Sequence, residues 1–454
     1  MKRYAYSLVF SSLTLAVVSN AIADQHPTVQ ALSSRPGAGY TLYVDFAGFN
    51  FTGTWGNTGA SPGSTNAYFD VASSGSFNAS QNAAIKEVWE RIAEKYVAFN
   101  INVTTVDPAV GAGLAGTDAQ RQKYYDDTAQ IMHTVVGGGG SWYGPAGGVS
   151  YVGVAQNTQN TSGNGGFGMG YHTNWVFAAE APTAYQFVGE ATAHEDGHGL
   201  SLSHQSDYNG GGYQNEYSAG NGTGNGSYAP TMGVSYYSQR GTWRVGASSG
   251  LGGGTQNDVS TLLSNNNMGG LLDDGVGHSF ATATTLSLTG TTVNPSVSKG
   301  FIKPSSNANP TAIGEGNYTS DVFAFASTGG VISLTATDGS QYITPGVADP
   351  GATLNSNLRI YDANGNLVGV ATKDSTTLFE TYSGNLVAGN YFAVVTSNGG
   401  LVYGGQYNNA SYYDMGSYFL TGSGALAAPV PEPASMVALV AGISMLARRR
   451  RARK

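Results

Sequence analysis

The chain has 454 residues, room for two or three domains of ordinary size, and 20 Lys and Arg against 28 Asp and Glu give a formal net charge of −8. Zero cysteines exclude a disulfide scaffold, a thiolate zinc finger, an iron–sulfur centre and a cysteine nucleophile, and the acidic balance argues against a nucleic-acid binder, which needs a basic face. A hydrophobic content of 41% supports packed cores rather than disorder, although glycine, at 66 positions, is about twice its ordinary share and charged residues, at 11%, about half of theirs.

The sequence opens with Met1-Lys2-Arg3, a mostly apolar run from Tyr6 to Val18, and Ala21-Ile22-Ala23. A positive start, a short apolar stretch and a small-x-small site read as a secretory signal peptide over 1–23, cut before Asp24. The apolar run is too short for a spanning helix. From Tyr40 to about Gly270 strand and helix signals alternate. Tyr40 to Phe46 alternates with period two and predicts a strand. Ala79 to Phe99 predicts a helix: Asn78 and Gln81 are spaced as a capping box, and Ile85, Val88, Trp89, Ile92 and Tyr96 share one stripe. Lys86, Glu87, Glu90, Arg91, Glu94 and Lys95 fill the opposite face, which is expected to be solvated. Further strands are expected at Ile101 to Val106, Ile131 to Val136, Val149 to Val154 and Trp175 to Ala178. The run Gly137 to Gly140 reads as a plain loop, because Ser141-Trp142-Tyr143 follows where a phosphate-binding loop would carry lysine and open a helix. His133 is expected at the surface, and His26, His172 and His278 have no partner that the sequence identifies.

Three of the seven histidines fall within eleven residues, in His194-Glu195-Asp196-Gly197-His198-Gly199-Leu200-Ser201-Leu202-Ser203-His204. On a helix His194 and His198 stand one turn apart on one face, so both imidazoles can meet one metal ion at about 2.0–2.1 Å. Glu195, next to the first ligand, leans toward the open coordination position, where a general base for metal-bound water belongs. His204 closes the site only if the helix stops and the chain turns back. Three neutral imidazoles leave a fourth position for water, the geometry of a catalytic Zn2+ rather than a structural one.

From 271 to 424 short strands recur roughly every eight to twelve residues between Gly, Asn and Asp turns, with no helical period. Asp321 to Phe325, Val331 to Ala336, Leu358 to Tyr361 and Tyr391 to Val395 are the clearest, and Asp362-Ala363-Asn364-Gly365 reverses a hairpin. An all-β sandwich is the expected architecture. The segment 425–454 runs through Val430-Pro431-Glu432-Pro433 into an apolar stretch, Ala434 to Ala447, and ends in Arg448-Arg449-Arg450-Arg451-Ala452-Arg453-Lys454. Removing both ends takes eight of the 20 basic residues and one of the 28 acids, leaving 12 against 27 and a net charge of −15.

These motifs carry three resemblances. The histidine segment resembles the H-E-x-x-H-x-x-G-x-x-H motif of the metzincin clan of zinc metalloproteases (reprolysin-like), and Tyr228-Ala229-Pro230-Thr231-Met232-Gly233 resembles that clan's methionine turn. The match spans roughly Tyr40 to Asn267 and is densest over 190–237. It implies an α/β (α+β) catalytic domain over 24–270, with Zn2+ on His194, His198 and His204, Glu195 as general base, and Met232 as an apolar floor beneath the metal. Two positions depart from the pattern. Ser201 stands where the clan has a glycine that swings the chain round, with Gly199 as another place for that turn, and Asp196 stands where an apolar residue faces the core. The tyrosine ligand of some relatives is replaced by Val234, so Tyr236 and Tyr237 are not assigned to the site. The stretch Asp207 to Ser227 reads as a long loop beside the site, with oxygens, Asp207 and Glu216 among them, for Ca2+.

The strand order over 271–424 resembles the bacterial pre-peptidase C-terminal domain, and the tail resembles a PEP-CTERM sorting signal. The latter implies export, removal of the tail by a sorting enzyme of the membrane, and a place at the cell surface or in an exopolysaccharide matrix. The expected function is an exported zinc endopeptidase acting on protein or peptide substrates. The competing readings are a non-catalytic surface or biofilm-matrix protein with a metal-stabilised fold of the same type, motivated by Asp196 and Ser201, and a glycan or matrix binder centred on the β domain.

Overall fold

The computed structural model describes residues 24–157, 170–209, 211–305, 318–339, 347, 349–374, 378–398 and 412–429. The signal peptide expected over 1–23 and the sorting signal expected from Val430 onward lie outside the described residues. No helix among those described is long and apolar enough to cross a membrane.

Strands β1 (Tyr40–Asp45), β2 (Ile101–Thr104), β3 (Ile131–Val136), β4 (Gly148–Val149) and β5 (Thr173–Val176) form one sheet in the order β2-β1-β3-β5-β4. All run parallel except β4, which lies antiparallel along β5 at the edge. Period two divides their side chains: Leu42, Val44, Met132 and Val136 enter one core, Tyr43, Val135 and Trp175 another. Helices α1 (Ala79–Lys95) and α3 (Tyr185–Gly199) cover the first face, and α2 (Asp118–Asp127) lies over the second. Because both faces are covered, His133 is buried rather than at the surface. Its Nε2 lies 3.1 Å from Asp45 Oδ2, and its ring stacks on Tyr43 at 5.3 Å. Of the other histidines, His26 meets Asp118 at 2.8 Å, His278 meets Asp273 at 3.2 Å, and His172 is buried.

Helix α1 starts as its capping box predicts, with Asn78 Oδ1 accepting from the Gln81 N–H and Gln81 Oε1 accepting from the Asn78 N–H. It stops at Lys95, short of Phe99. Its charged face is solvated only at Lys86 and Glu87, which stay partly exposed; Glu90, Arg91, Glu94 and Lys95 are buried. Arg91 Nη1 donates to Pro350 O at 3.0 Å, and Glu94 Oε1 accepts from the Ser417 N–H at 2.8 Å. Lys95 Nζ pairs with Glu190 Oε1 at 2.8 Å and donates to Gly241 O at 3.0 Å.

The strand expected over Val149 to Val154 is reduced to β4. Beyond it the chain leaves the sheet to cap α3: the Gly153 N–H donates to His198 O, and those of Val154 and Ala155 to Gly199 O, carbonyls that a helix end leaves without partners. The stretch expected as a long loop contains a hairpin, Asp207–Asn209 with Gly212–Asn215, and the start of β6 (Gly224–Pro230), which runs parallel to β7 (Ser238–Thr242). Helix α4 (Asp258–Asn265) follows.

Downstream lie β8 (Lys299–Ile302), β9 (Ser320–Asp338), β10 (Ser356–Asp362), β11 (Leu367–Val370), β12 (Phe379–Leu386), β13 (Gly389–Ser397) and β14 (Gly416–Ala427). The two strands expected at Asp321 to Phe325 and Val331 to Ala336 are the two ends of β9. The first end pairs with β13, Phe323 opposite Ala393; after a register shift between Ser327 and Ile332 the second pairs with β12 and β14. Strand β13 continues to β10, and β10 to β11 across the Asn364-Gly365 turn, while β14 continues to β8. Two sheets thus share β9, and both turn apolar side chains (Phe323, Leu334, Leu358, Val395 and Leu420 among them) into one core. This is a β-sandwich.

The Lys95–Glu190 pair is nearly inaccessible on both sides. Lys95→Met leaves a buried carboxylate uncompensated and is expected to cost about 3–5 kcal/mol, with part recovered in Lys95→Met/Glu190→Met. Urea unfolding of the three proteins measures both values.

Candidate metal and catalytic site

Helix α3 ends in a hydrogen-bonding pattern that reverses the chain. The Ser201 N–H donates to His198 O at 2.8 Å and the Leu202 N–H to Gly197 O at 2.9 Å, a Schellman end with Ser201 at the left-handed position, φ 81°. The turn therefore sits at Ser201 itself and not at Gly199. With the helix stopped there, the chain brings His204 back beside His198, their Nε2 atoms 3.0 Å apart.

Each of the three imidazoles is oriented by a bond at its other nitrogen. His194 Nδ1 lies 2.9 Å from Thr231 O, His198 Nδ1 2.6 Å from Leu202 O, and His204 Nδ1 2.5 Å from Glu216 Oε1. Protons on the Nδ1 atoms satisfy all three oxygens and leave each Nε2 as a lone-pair donor, the arrangement that outer-shell partners impose on ligating histidines. Among the described residues these are the only His, Cys, Asp or Glu side chains that converge as a group of three, with ligand atoms within 4.8 Å of one another. Nitrogens on a tetrahedral ion at about 2.0–2.1 Å are about 3.3 Å apart; the donor set suits zinc in number and type, and the 3.0 Å between the Nε2 atoms of His198 and His204 is near that spacing. Burial, and then the neighbouring imidazoles, hold His194 well below the usual histidine range; burial and His204 bring His198 down to about 3. Both are neutral, as ligands must be.

Met232 is fully buried under this group. Gly197, one position before His198, makes room for it: a Cβ there would stand 2.6 Å from Met232 Sδ. The turn that carries Met232 closes through the Gly233 N–H to Pro230 O at 2.8 Å, and its Thr231 carbonyl is the acceptor for His194. The methionine turn and the first histidine are thus one construction.

Glu195 points toward β4, which walls the same cleft as the histidines. A Cβ at Gly148 would stand 2.6 Å from Glu195 Oε1, so only glycine lets the edge strand run this close to the carboxylate. Burial, and then Asp196, push the Glu195 carboxyl well above its ordinary range. Asp196, on the face turned into the sheet, is fully buried and finds polar partners there. Thr134 Oγ1 of β3 donates to its Oδ1 at 2.5 Å and Asn174 Nδ2 of β5 lies 3.4 Å from the same atom, whereas Oδ2 has no partner among the described residues. Burial pushes it up to about 7 against those two hydrogen bonds.

The three histidines and Glu195 line one cleft of about 450 Å3, walled by Gly147, Gly148 and Val149 on the edge-strand side and by Tyr143, Tyr217, Val234 and Tyr236 elsewhere. Tyr236, unassigned from sequence, is a wall residue packed on Phe187 at 4.9 Å. Burial and then Glu195 raise its phenol and that of Tyr217 above the ordinary range. Tyr217 lies 4.4 Å from the His204 ring, and nothing in its local sequence marks it beyond the tyrosine-rich stretch in which it sits. Glu216 is committed to His204, with Ser249 Oγ donating to the same oxygen at 2.7 Å.

No protein-family model matches the chain, and no curated protein matches it. Similar solved structures include the pre-peptidase C-terminal domain of a collagenase from Bacillus anthracis, at 13% identity, covering 23% of this chain and 76% of that one with a TM-score of 0.15. Another is CBM35 from Cellvibrio japonicus Abf62, at 20% identity, covering 29% of this chain and 79% of that one with a TM-score of 0.16. At such TM-scores the likeness carries no argument about the site.

A left-handed conformation costs a non-glycine residue on the order of 1 kcal/mol. Ser201→Gly relieves that strain and is expected to stabilise the protein by about 1 kcal/mol, less the added backbone entropy of glycine; thermal and urea unfolding of the two proteins test it.

Proposed function

We propose that the chain is an exported zinc-dependent endopeptidase, with a metzincin-like catalytic domain over 24–270 and a β-sandwich of pre-peptidase C-terminal type over 271–424. The single observation that carries this reading is the convergence of three imidazole Nε2 atoms in a cleft whose floor also holds the buried carboxylate of Glu195. Zinc bound there would supply a Lewis acid and make a water acidic enough to lose its proton near neutrality. His194, His198 and His204 would hold the ion, and Met232 would fill the space beneath them. Glu195, its proton affinity raised by burial, accepts the proton of the attacking water and delivers it to the leaving amine. Strand β4 is the edge of its sheet and lines the cleft, a place suited to an extended peptide.

The non-catalytic alternative drew on Asp196 and Ser201. Ser201 takes up the left-handed turn and Asp196 bonds to Thr134, so neither displaces a ligand or the base. Export, tail removal by a membrane sorting enzyme and residence at the surface or in a matrix belong to the same proposal and rest on segments 1–23 and 430–454.

Zinc content and casein hydrolysis of the wild type and Glu195→Gln test the reading. Expected are one zinc per chain in both proteins, chelator-sensitive hydrolysis by the wild type, and a loss of about 10²–10⁴-fold in the variant. Equal activity in the two, or activity indifferent to chelator, overturns it.

A further inference from the structure

The same contacts that bury the charged face of α1 continue into the segment behind the cleft. Strand β7 follows the wall residues Val234 and Tyr236, and its Arg240 is 1% exposed although it carries a full charge. Its partners lie in the β-sandwich: Nε donates to Leu354 O at 3.1 Å, and Nη2 lies 3.4 Å from Asp338 Oδ2. Asp338 is also held by Lys373 Nζ at 2.6 Å, and Lys373 pairs with Glu380 at 2.9 Å, so two cations and two carboxylates close a network across the boundary.

Two positions on, Thr242 Oγ1 donates to Tyr413 O at 2.6 Å, and the Tyr413 N–H donates to Trp243 O at 2.9 Å. Thr242 also faces the histidine site: its carbonyl accepts from the Thr231 N–H at 2.9 Å, and Thr231 O in turn is the acceptor for His194 Nδ1. Three hydrogen bonds therefore separate the sandwich from the first histidine. The wall segment is fixed from the other side as well, by Ser235 Oγ on Glu190 at 2.5 Å and by Glu190 on Lys95.

We propose that the β-sandwich is a permanent part of the catalytic unit, holding the cleft wall and the His194 acceptor in place through Arg240 and Thr242, rather than a detachable accessory. Arg240 and Thr242 are positioning residues and touch neither metal nor substrate. The inference deepens the functional reading above and rests on it for the identity of the metal, but the docking of the two halves stands on the contacts alone. A chain processed between the halves keeps them together; one forced to lose the sandwich loses the Thr231 geometry and with it metal affinity.

The test uses the full chain with a specific protease site inserted between Gly269 and Gly270, an exposed position with open space around it. After cutting, the fragments are expected to co-elute on size exclusion at micromolar concentration. Separation into two independent species, with the first fragment keeping zinc at unchanged affinity, overturns the proposal. In the uncut chain Thr242→Val, which removes one hydroxyl and keeps the shape, is expected to weaken zinc binding about threefold in a competition with a chromogenic chelator, less than the 10–100-fold of a direct histidine partner. Arg240→Met is expected to separate the cut fragments at concentrations where the wild type stays whole; if it does not fold, the Thr242 measurement decides. Unchanged zinc affinity in Thr242→Val overturns the positioning role. A wild type that binds no zinc sinks the functional reading and leaves the co-elution measurement to judge this one.

Discussion

A helix can bring two imidazoles to one point but not three. His194 and His198 meet because they are one turn apart; a third ligand six residues on can arrive only if the helix stops and the chain doubles back, so the end of α3 decides whether the site exists at all. Ser201, at φ 81°, is where that happens. The surroundings depend on this stop. Leu202 O, outside the helix, is free to accept from His198, and the chain after β4 donates to the carbonyls that the helix end exposes on His198 and Gly199. A helix continued by one more turn would lose both sets of bonds and carry His204 away from its partners.

What could be read from the sequence is what is local. The capping box of α1, the period-two strands and the histidine spacing are all encoded within a turn or a few residues, and the structure places His194, Glu195, His198 and His204 around one cleft, with Met232 buried in the core against Gly197. The charged face of α1 was not legible for the opposite reason: besides the local Glu87 on Arg91, Arg91 and Glu94 bond to Pro350 and Ser417, 259 and 323 residues away. Arg91, Glu94 and Lys95 on the outside of an amphipathic helix carry no mark that distinguishes water from a second domain. His133 misleads in the same way, since a polar residue alternating with apolar ones reads as solvent-facing unless it is known that α2 covers that side of the sheet. Glu216 and Tyr217 reach the histidines only through a hairpin whose strands are three and four residues long, too short to leave a periodic signal.

Asp196 shows how a position that breaks a local rule is accommodated. A carboxyl in the core costs several kcal/mol if charged and unpartnered. Here burial raises it to about 7, so the neutral form is accessible, and Thr134 and Asn174 lie in adjacent strands at the height of α3 where an apolar side chain would otherwise meet the sheet. The polar pair on the sheet and the polar residue on the helix make sense only together. Neither Thr134 nor Asn174, read alone in its strand, would suggest a buried acid above it.

The absence of cysteine bears on how two large halves are held in one arrangement. With no disulfide available to fix such geometry, this chain fixes it with buried polar groups. Glu94, Lys95, Glu190, Arg240, Asp338 and Glu380 are all nearly inaccessible, and their partners come from both halves. Such networks contribute little net stability, because desolvation offsets most of the attraction, but they penalise every alternative docking that leaves a charge unpaired. The unequal costs suit a cleft wall: an apolar interface of the same area would tolerate sliding by an ångström, whereas a guanidinium bonded to a carbonyl and a carboxylate does not. The glycine excess works in the same direction at Gly148 and Gly197, where a single Cβ would collide with Glu195 or Met232. Charge pairing sets the position of the two halves, and the missing side chains let the parts around the histidine cleft close to within contact of one another.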